Sequence, residues 1–330
     1  MISYADAVDL TASLLIRAGM AEPDARRTGA ALATAEAWGI GSHGLMRLPH
    51  YLRRCAAGGI DASARLRPRG EAGDGPIASY DGGAGLGHAQ VWAAAEEAAR
   101  RCRTHGIGAV AVGNSSHCGA LGYFVIPALA AGYLSLVVSD GPAAMAPWGG
   151  HAAVLSTSPI AAGVPCRPDP IVIDMASSAV ARGKIAARAR SGEPLPDGWA
   201  VDAAGEPTTD PAVALLGMLA PLGGAKGFAL GLIVEALAAG LAGPALSADV
   251  VDMFDPARDA EPQRIGHLVL AFDPVRFAVE GSAQARYDDL AARLIAAGGR
   301  LPGGTRAPLH GLAGETPLDV PAELLAELRA

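Results

Sequence analysis

A hydroxyl, an imidazole and a guanidinium lie close together near the start of the chain, at Ser42, His43 and Arg47. An imidazole can donate a proton, and a guanidinium can bind a carboxylate through paired hydrogen bonds. His43 and Arg47 are four residues apart, so a helix that begins here would place both on one face. The pattern indicates acid–base chemistry on a carboxylate substrate. The alternative is that Ser42 only caps a helix and that the other two are ordinary surface residues.

A second imidazole, His117, lies in the segment NSSHCGALGY, which begins at Asn114. This segment follows the apolar run GAVAV, which predicts a β-strand. Polar side chains and glycines at the C-terminal end of a strand are typical of sites in α/β folds, where backbone N–H groups can bind phosphate. The position favours a functional His117 over a hydrogen-bonded loop histidine.

Lysine occurs only at Lys184 and Lys226, although lysine and arginine together number 26. In a chain that otherwise uses arginine, a lysine indicates a place that requires a compact ammonium group. Lys226, in LGGAKGF, can approach a phosphate or ribose closely, and Lys184, beside Arg182, can hold an acidic partner. The alternative is that the two lysines fall in these segments by chance.

The glycine-rich stretch DGGAGLG, from Asp81, does not predict a Rossmann dinucleotide site. Its spacing is G-x-G-x-G, whereas the Rossmann fingerprint is G-x-G-x-x-G with an acid about 20 residues further on. The region around Thr104 offers no such acid. We therefore expect a tight turn between a strand and a helix.

Composition excludes several classes of protein. The 330 residues are 51% hydrophobic and 18% charged, which supports a folded core, and the net charge of −7 argues against nucleic acid and anionic membranes as partners. The longest apolar runs are interrupted by Pro127 and Glu235, so they predict core elements and not membrane spans. Four dispersed cysteines without a CxxC pair predict no metal site and reduced thiols. With an N-terminus that lacks the pattern of a signal peptide, we expect a cytoplasmic protein.

The periodicity of the chain predicts an α/β protein with helical ends. Helical patterns cover residues 4–38 and about 45–57, and short strands alternate with helices from Ile77 onward. A polar segment at 196–211 predicts a loop, and helix returns at about 282–300. We expect residues 1–75 and 282–330 to pack together as a mainly helical unit, with residues 76–281 forming the α/β unit.

The chain closely resembles the type-2 malate/L-lactate dehydrogenase family, which also includes sulfolactate and ureidoglycolate dehydrogenases and cyclic ketimine reductases. The resemblance rests on SHGLMRLPHYLRR, DGGAGLGH, NSSHCGALGY, APWGGHAAVLSTSPIA, IDMASSAVARGKI, LPDGWAVDAAGEPTTDP and PLGGAKGFALGLIVE, in that order along nearly the whole chain. It implies a homodimer with a mixed-sheet, non-Rossmann fold that binds NAD or NADP.

The resemblance also implies roles for individual residues. His43 matches the proton donor, Ser42 its hydroxyl partner and Arg47 the ligand of the substrate carboxylate, while Thr157 matches a position on the substrate side. In some members the histidine that matches His117 is the proposed acid/base. The positions that match cofactor contacts are His117, Cys118, Gly119, Ala120, Leu121, Asp174, Met175, Ala176, Ala225, Lys226, Gly304, Thr305 and Arg306.

Two departures from the family bear on the reaction. Ketimine reductases of the family carry an acid where this chain has Lys184, which favours a 2-oxo acid over a cyclic imine as substrate. Many members have histidine where this chain has Ala225, which alters one cofactor contact. We expect an NAD(P)-dependent oxidoreductase that interconverts a small 2-oxo acid and its 2-hydroxy acid. The alternatives are a reductase of Δ1-piperideine- or Δ1-pyrroline-2-carboxylate and a catalytically silent dinucleotide-binding protein.

Overall fold

The structure is a computed structural model that describes residues 1–70, 73–278, 282–304, 312 and 314–330. The α-helices of these residues are α1 (Tyr4–Arg17), α2 (Glu22–Ala37), α3 (Leu48–Ala57), α4 (Gly87–His105), α5 (Ile126–Ala130), α6 (Arg182–Ser191), α7 (Pro211–Leu216), α8 (Ala225–Glu235), α9 (Pro274–Phe277), α10 (Ala283–Ala296) and α11 (Ala322–Arg329). The strands are β1 (Ile2–Ser3), β2 (Arg67–Pro68), β3 (Ile77–Asp81), β4 (Ile107–Ser115), β5 (Leu134–Ser139), β6 (Ile160–Val164), β7 (Ile171–Met175), β8 (Ala200–Val201), β9 (Pro207–Thr208), β10 (Met218–Leu219), β11 (Ile265–Phe272) and β12 (Pro317–Leu318).

A mixed seven-stranded sheet forms the centre of the molecule. Its strand order is β2-β3-β4-β11-β5-β6-β7, and only the β3–β4 pair is parallel. This arrangement confirms the mixed-sheet, non-Rossmann α/β fold. The glycine-rich stretch after β3 turns directly into α4, as the sequence predicts, and the Asp81 carboxylate accepts hydrogen bonds from the Gly83 N–H and the Asn114 amide.

Helices cover both faces of the sheet. On one face, small side chains of α4 such as Ala94 and Ala98 pack on β4, β5 and β11 together with Phe124. A Cβ at Gly108 of β4 would overlap the carbonyl oxygen of Ala98, so this glycine permits the close approach of helix and strand. On the other face, α8 and a π-helical turn at Ala236–Gly240 continue one apolar helix across the sheet.

The N-terminal helices pack with the end of the chain. Leu15, Leu32 and Leu48 of α1, α2 and α3 share a buried cluster with Leu325 of α11, and β1 pairs with β12. Helix α10 instead packs against the edge of the main sheet, where Ala291 contacts Cys166 and Ile171. The division of the chain into two domains stays a prediction.

A smaller lobe combines α6 and α7 with a three-stranded sheet of order β10-β8-β9. The prediction of a loop across 196–211 is therefore wrong in part, because β8 and β9 are short strands within it. Pairing of β8 with the neighbouring β9 and β10 allows strands to form despite the polar, turn-rich composition of the segment. Among the described residues, no helix has both the length and the apolar character needed to cross a bilayer.

Candidate functional site

A cavity of about 320 Å³ opens between the main sheet, the segment before α3 and the start of α6. Its wall includes the loops that follow β4, β5 and β7 and the segment at 252–254. The predicted site residues that line it are Ser42, His43, Arg47, His117, Cys118, Gly119, Ala120, Leu121, Thr157, Asp174, Met175 and Ala176. The fold thus brings together segments that are up to 134 positions apart in the sequence.

Other predicted site residues lie elsewhere. Ala225 and Lys226 are exposed at the start of α8, and neither they nor Gly304 contribute to the wall of this cavity. Thr305 and Arg306 lie outside the described residues. The cofactor contacts expected at these five positions stay predictions.

The segment that carries Ser42, His43 and Arg47 is not the regular helix that their spacing suggested. Two short 3₁₀ turns, Gly41–His43 and Leu45–Arg47, are separated by Gly44, and α3 begins only at Leu48. The alternative role of Ser42 as a helix cap is also wrong, because its Oγ lies 3.0 Å from Nδ1 of His43. The hydroxyl therefore orients the imidazole.

A buried carboxylate shapes these two turns. Glu36, at the end of α2, accepts a hydrogen bond from the Leu45 N–H at 2.7 Å, and a Cβ at Gly44 would overlap this carboxylate. Burial raises the pKa of Glu36, and its hydrogen bond to the backbone acts in the opposite direction. Gly44 is thus required by close approach, and the glutamate fixes the direction in which His43 and Arg47 leave the backbone.

The Arg47 guanidinium is positioned by contacts on two sides. Its Nε donates a hydrogen bond to the Ser42 carbonyl oxygen at 2.6 Å, and its Cζ lies 4.5 Å from the centre of the Phe254 ring. A cation over an aromatic face is attracted by the ring quadrupole. Nε is engaged, so the terminal nitrogens remain to bind a carboxylate through paired hydrogen bonds.

His117 is partly buried in the cavity wall, and its ring has a defined orientation. The Gly119 N–H donates to Nδ1 at 3.3 Å, and the Tyr51 hydroxyl lies 2.7 Å from the same nitrogen. Because a backbone N–H can only donate, Nδ1 is an acceptor, and the neutral ring carries its proton on Nε2. Burial and the charge of Arg47 hold the pKa of His117 well below its ordinary value. His117 is therefore a neutral hydrogen-bond donor at pH 7.

The two imidazoles of the cavity stack on each other. The ring centres of His43 and His117 are 5.8 Å apart. Burial, with a contribution from Arg47, lowers the pKa of His43 to about 4. An anion bound to Arg47 would offset the charge that disfavours the imidazolium, so substrate binding would raise this pKa. The pair can therefore accept or donate a proton beside a bound carboxylate.

The opposite wall is held by backbone hydrogen bonds. The Asp174 carboxylate accepts from the Gly122 N–H at 2.9 Å, which joins the end of β7 to the loop after β4. The Thr157 carbonyl oxygen accepts from the Ser177 N–H at 2.9 Å and from its hydroxyl at 3.1 Å. These bonds fix the wall on which the predicted cofactor segment and the predicted substrate-side threonine lie.

Three residues of the site were missed by sequence reasoning. Tyr51 follows Arg47 by four positions in SHGLMRLPHYLRR, and that spacing could have identified it. Asp140 directly follows the apolar run of β5, a strand-end position of the kind that drew attention to His117. Phe254 lies in a segment without a recognisable pattern, and only the fold brings it to Arg47.

Asp140 is a buried acid in the cavity wall. One oxygen accepts a hydrogen bond from the Gly266 N–H at 2.7 Å, whereas the other oxygen has no partner among the described residues. Burial and the nearby Glu235 raise its pKa well above the ordinary value. A neutral carboxyl group offers an O–H donor to a ligand.

Comparisons with known proteins agree over almost the full length of the chain. A family model described as malate/L-lactate dehydrogenase matches residues 2–325. A (2R)-3-sulfolactate dehydrogenase (NADP(+)) of Chromohalobacter salexigens is 40% identical over 333 residues, covering 100% of this chain and 97% of the relative. A Δ1-pyrroline-2-carboxylate/Δ1-piperideine-2-carboxylate reductase of Pseudomonas putida is 35% identical over 308 residues, covering 92% and 89%. Among solved structures, the sulfolactate dehydrogenase of Methanocaldococcus jannaschii superposes with a TM-score of 0.89 at 29% identity, covering 99% and 95%.

Proposed function

The chain belongs to the malate/L-lactate dehydrogenase family and is an NAD(P)-dependent oxidoreductase, and we propose that it interconverts a small 2-oxo acid and its 2-hydroxy acid. The observation that carries the proposal is the meeting of Ser42, His43, Arg47 and His117 in one cavity. Arg47 can bind a carboxylate, and the two oriented imidazoles lie in the same cavity. This arrangement suits a substrate in which a carboxylate adjoins the reacting carbon.

Arg47 binds the substrate carboxylate in this proposal. Its Nε is held by the Ser42 carbonyl and its plane by Phe254, so the free edge of the guanidinium is fixed in direction. A bidentate contact on that edge orients the adjoining carbonyl or hydroxyl carbon. A substrate without the carboxylate would lose both affinity and alignment.

His43 transfers the proton. In the oxidative direction its neutral imidazole accepts the proton of the substrate hydroxyl, as its pKa of about 4 allows at pH 7. In the reductive direction the bound carboxylate favours the imidazolium, which donates to the developing alkoxide. His117, with its proton on Nε2, donates a hydrogen bond to the same oxygen and stabilises the charge that develops there.

The cavity fits a nicotinamide cofactor, which when bound supplies or accepts the hydride. The unpartnered oxygen of Asp140 offers a donor for a carbonyl or amide oxygen. We propose that the loop at 118–121 and the segment at 174–176 hold the cofactor, with Lys226 and the chain around Gly304 contributing beyond the cavity.

One screen tests this proposal. NADH and NADPH oxidation is measured at 340 nm with pyruvate, oxaloacetate and sulfopyruvate, and with Δ1-piperideine- and Δ1-pyrroline-2-carboxylate. Turnover of a 2-oxo acid with little turnover of the imines is the expected result. Turnover of the imines alone would replace the proposal with ketimine reduction. Dinucleotide binding without turnover of any compound would indicate a catalytically silent protein.

Ketimine reduction is the second candidate, because one relative of this chain is a Δ1-pyrroline-2-carboxylate/Δ1-piperideine-2-carboxylate reductase. Against it, Lys184 stands where the resemblance places a relay carboxylate beside Ser42 and His43. Lys184 is exposed, one residue beyond Gly183 in the cavity wall. An ammonium at that place would oppose the imidazolium that an acid would stabilise.

We also propose a cytoplasmic homodimer. The four cysteines are free thiols, which fits a reducing compartment. Helix α8 is apolar around its circumference, and Leu232, Ile233, Leu241 and Leu246 in and after it are each more than half exposed. An apolar surface of this kind supports association with a second copy of the chain.

A further inference from the structure

Gln263 carries a buried amide in the wall of the cavity and is 1% exposed. It lies two residues before β11, whose antiparallel register with β4 pairs Ile265 with Ser115. Two residues beyond this pair, the same register places Gln263 opposite His117. The sheet therefore brings this glutamine to the loop that carries the second imidazole of the site.

The side chain of Gln263 joins two segments of the cavity wall. Its Oε1 accepts a hydrogen bond from the His117 N–H at 3.1 Å, and its Nε2 donates to the Val251 carbonyl oxygen at 3.1 Å. A backbone N–H only donates and a carbonyl oxygen only accepts, so a single orientation of the amide satisfies both. Gln263 is thus held at both ends, and a movement of either segment would break a buried hydrogen bond.

The segment that begins at Val251 carries the aromatic contact of Arg47. Val251 is itself buried, which fixes this part of the chain. Phe254 follows three residues later, and the centre of its ring lies 4.5 Å from the Arg47 Cζ. Through one amide, Gln263 therefore links His117 to the segment against which the guanidinium packs.

The backbone next to Gln263 is strained. Arg264 has a φ of 62°, a left-handed conformation that is uncommon for a residue with a side chain. A conformation of this kind costs free energy and persists where surrounding contacts hold it, often at functional sites. The two hydrogen bonds of Gln263 are such contacts. The chain is thus held in an unfavourable turn that aims the amide between the two segments.

We propose that Gln263 is a positioning residue that sets the separation between Arg47, the carboxylate ligand, and the imidazole of His117. When Arg47 holds one end of the substrate, this separation decides whether the reacting oxygen meets Nε2 of His117 in a productive geometry. This inference rests on the proposed function, and it adds a residue that acts through the two segments it joins.

The first test is Gln263→Leu, which keeps much of the volume and removes both hydrogen bonds. With the best 2-oxo acid of the screen, we expect kcat to fall about 10- to 100-fold because the reacting oxygen is misaligned, whereas KM stays within about threefold because Arg47 still binds the carboxylate. The matched control is Gln284→Leu, since the Gln284 amide also donates to a backbone carbonyl oxygen, that of Pro165, outside the cavity wall. This control keeps both constants. A loss of kcat below about fivefold in Gln263→Leu overturns the inference.

The variant Gln263→Glu separates positioning from packing. A protonated carboxyl group offers an acceptor to the His117 N–H and a donor to the Val251 carbonyl oxygen, as the amide does, whereas a carboxylate repels that oxygen. The kcat of this variant, divided by the wild-type value, therefore rises as the pH falls from about 8 to about 6, while the same ratio for Gln263→Leu stays constant. Division by the wild-type value removes the titration of His43, His117 and Asp140, which both proteins share. A ratio for Gln263→Glu that does not change with pH assigns the glutamine to packing and overturns the inference.

A double-mutant cycle tests the route through Phe254. If Gln263 acts on Arg47 through this ring, the losses in log kcat of Gln263→Leu and Phe254→Leu are less than additive. Additive losses overturn the inference. A wild-type protein that reduces neither 2-oxo acids nor imines overturns the proposed function and this inference with it. Wild-type turnover with an unaltered kcat in Gln263→Leu overturns this inference alone.

Discussion

The Tyr51 hydroxyl lies 2.7 Å from Nδ1 of His117, and the tyrosine is buried beneath this imidazole of the cavity wall. Burial raises the pKa of Tyr51, so the phenol stays protonated and can donate to this nitrogen. With the Gly119 N–H, it keeps the proton of His117 on Nε2. Tyr51 is thus a positioning residue for the imidazole.

Replacing Tyr51 by phenylalanine tests this relationship. We expect kcat to fall about 10-fold because one of the two bonds that orient His117 is lost, while NAD(P)H affinity stays unchanged. The pH profile of kcat is the decisive measurement, since a role limited to packing would leave it unaltered. The Tyr4→Phe variant removes another half-buried hydroxyl, one outside the cavity wall, and serves as the control. Equal profiles for Tyr51→Phe and wild type would contradict the assignment.

The His43→Gln variant distinguishes the role of His43 from that of His117. The amide keeps much of the volume and can still contact Ser42, but it cannot transfer a proton. We expect kcat to fall by a factor of about 10² to 10⁴, with dinucleotide binding unchanged in a fluorescence titration. His117→Gln should lose less, because it removes a hydrogen-bond donor and leaves the proton-transferring group. Full activity of His43→Gln would assign proton transfer to His117.

The sequence was sufficient to predict most strands of the main sheet and most residues of the cavity wall, because local patterns in the sequence indicate both. The runs AVAV of β4 and LVLAF of β11 are apolar without interruption, and Gly106 marks the turn before β4. The segment from Gly41 to Arg47 was predicted less well, because its 3₁₀ turns depend on the carboxylate of Glu36. A contact between α2 and this segment leaves no periodic trace in the sequence.

The remaining parts of the site depend on long-range packing. Phe254 reaches Arg47 because the neighbouring segment is fixed to α3, where Arg54 lies fully buried and donates to the Arg258 carbonyl oxygen at 3.2 Å. Asp259 carries the opposite charge beside Arg54 at 3.6 Å. Residues about 200 positions apart form these contacts, so local spacing could not predict them.

Acid should destabilise the protein through its buried histidines. Burial lowers the pKa of His88 to about 3, whereas an unfolded histidine has a pKa near 6.5. Between these values the unfolded state binds more protons, so the free energy of unfolding falls as pH decreases from about 6.5 towards 3. From pH 7 to pH 5 this one residue contributes a loss of about 2 kcal/mol.

The His88→Leu variant should therefore show a smaller loss of stability between pH 7 and pH 5, by about 2 kcal/mol, in urea unfolding. Both ring nitrogens of His88 lack partners among the described residues, so leucine leaves no hydrogen bond unmade on this side chain. His151→Leu, in an exposed loop, is the control and should keep the wild-type pH dependence. If the free energy of unfolding depends on pH equally in His88→Leu and wild type, His88 is not a source of the acid destabilisation.

Lys226→Arg tests the use of lysine at the start of α8. Gly223 and Gly224 have positive φ values and turn the chain immediately before the helix, so the lysine emerges from a tight, exposed turn. If a compact ammonium is required by the cofactor, arginine should weaken NAD(P)H binding about 10-fold although the charge is kept. Isothermal titration measures the effect, and Lys184→Arg serves as a comparison. An unchanged affinity of Lys226→Arg for NAD(P)H would mean that the cofactor does not require lysine at position 226.

The exposed apolar surface of α8 gives a test of the dimer. Ile233 is 56% exposed although the opposite side of its helix packs on the main sheet through Val234 and Ala238. An aspartate at 233 would place a charge in an apolar contact, and its desolvation would cost more than the contact provides. We therefore expect Ile233→Asp to be monomeric in light scattering at concentrations where the wild type is a dimer.

Leu216→Asp is the matched control for this variant, because Leu216 is 85% exposed on α7 and lies outside the α8 surface. It introduces the same charge in place of another exposed aliphatic side chain, and this variant should remain dimeric. A monomeric wild type would contradict the proposed assembly itself. A buried, unpaired carboxylate destabilises an interface by several kcal/mol. If Ile233→Asp forms dimers as stable as those of the wild type, the two copies therefore meet through a different surface.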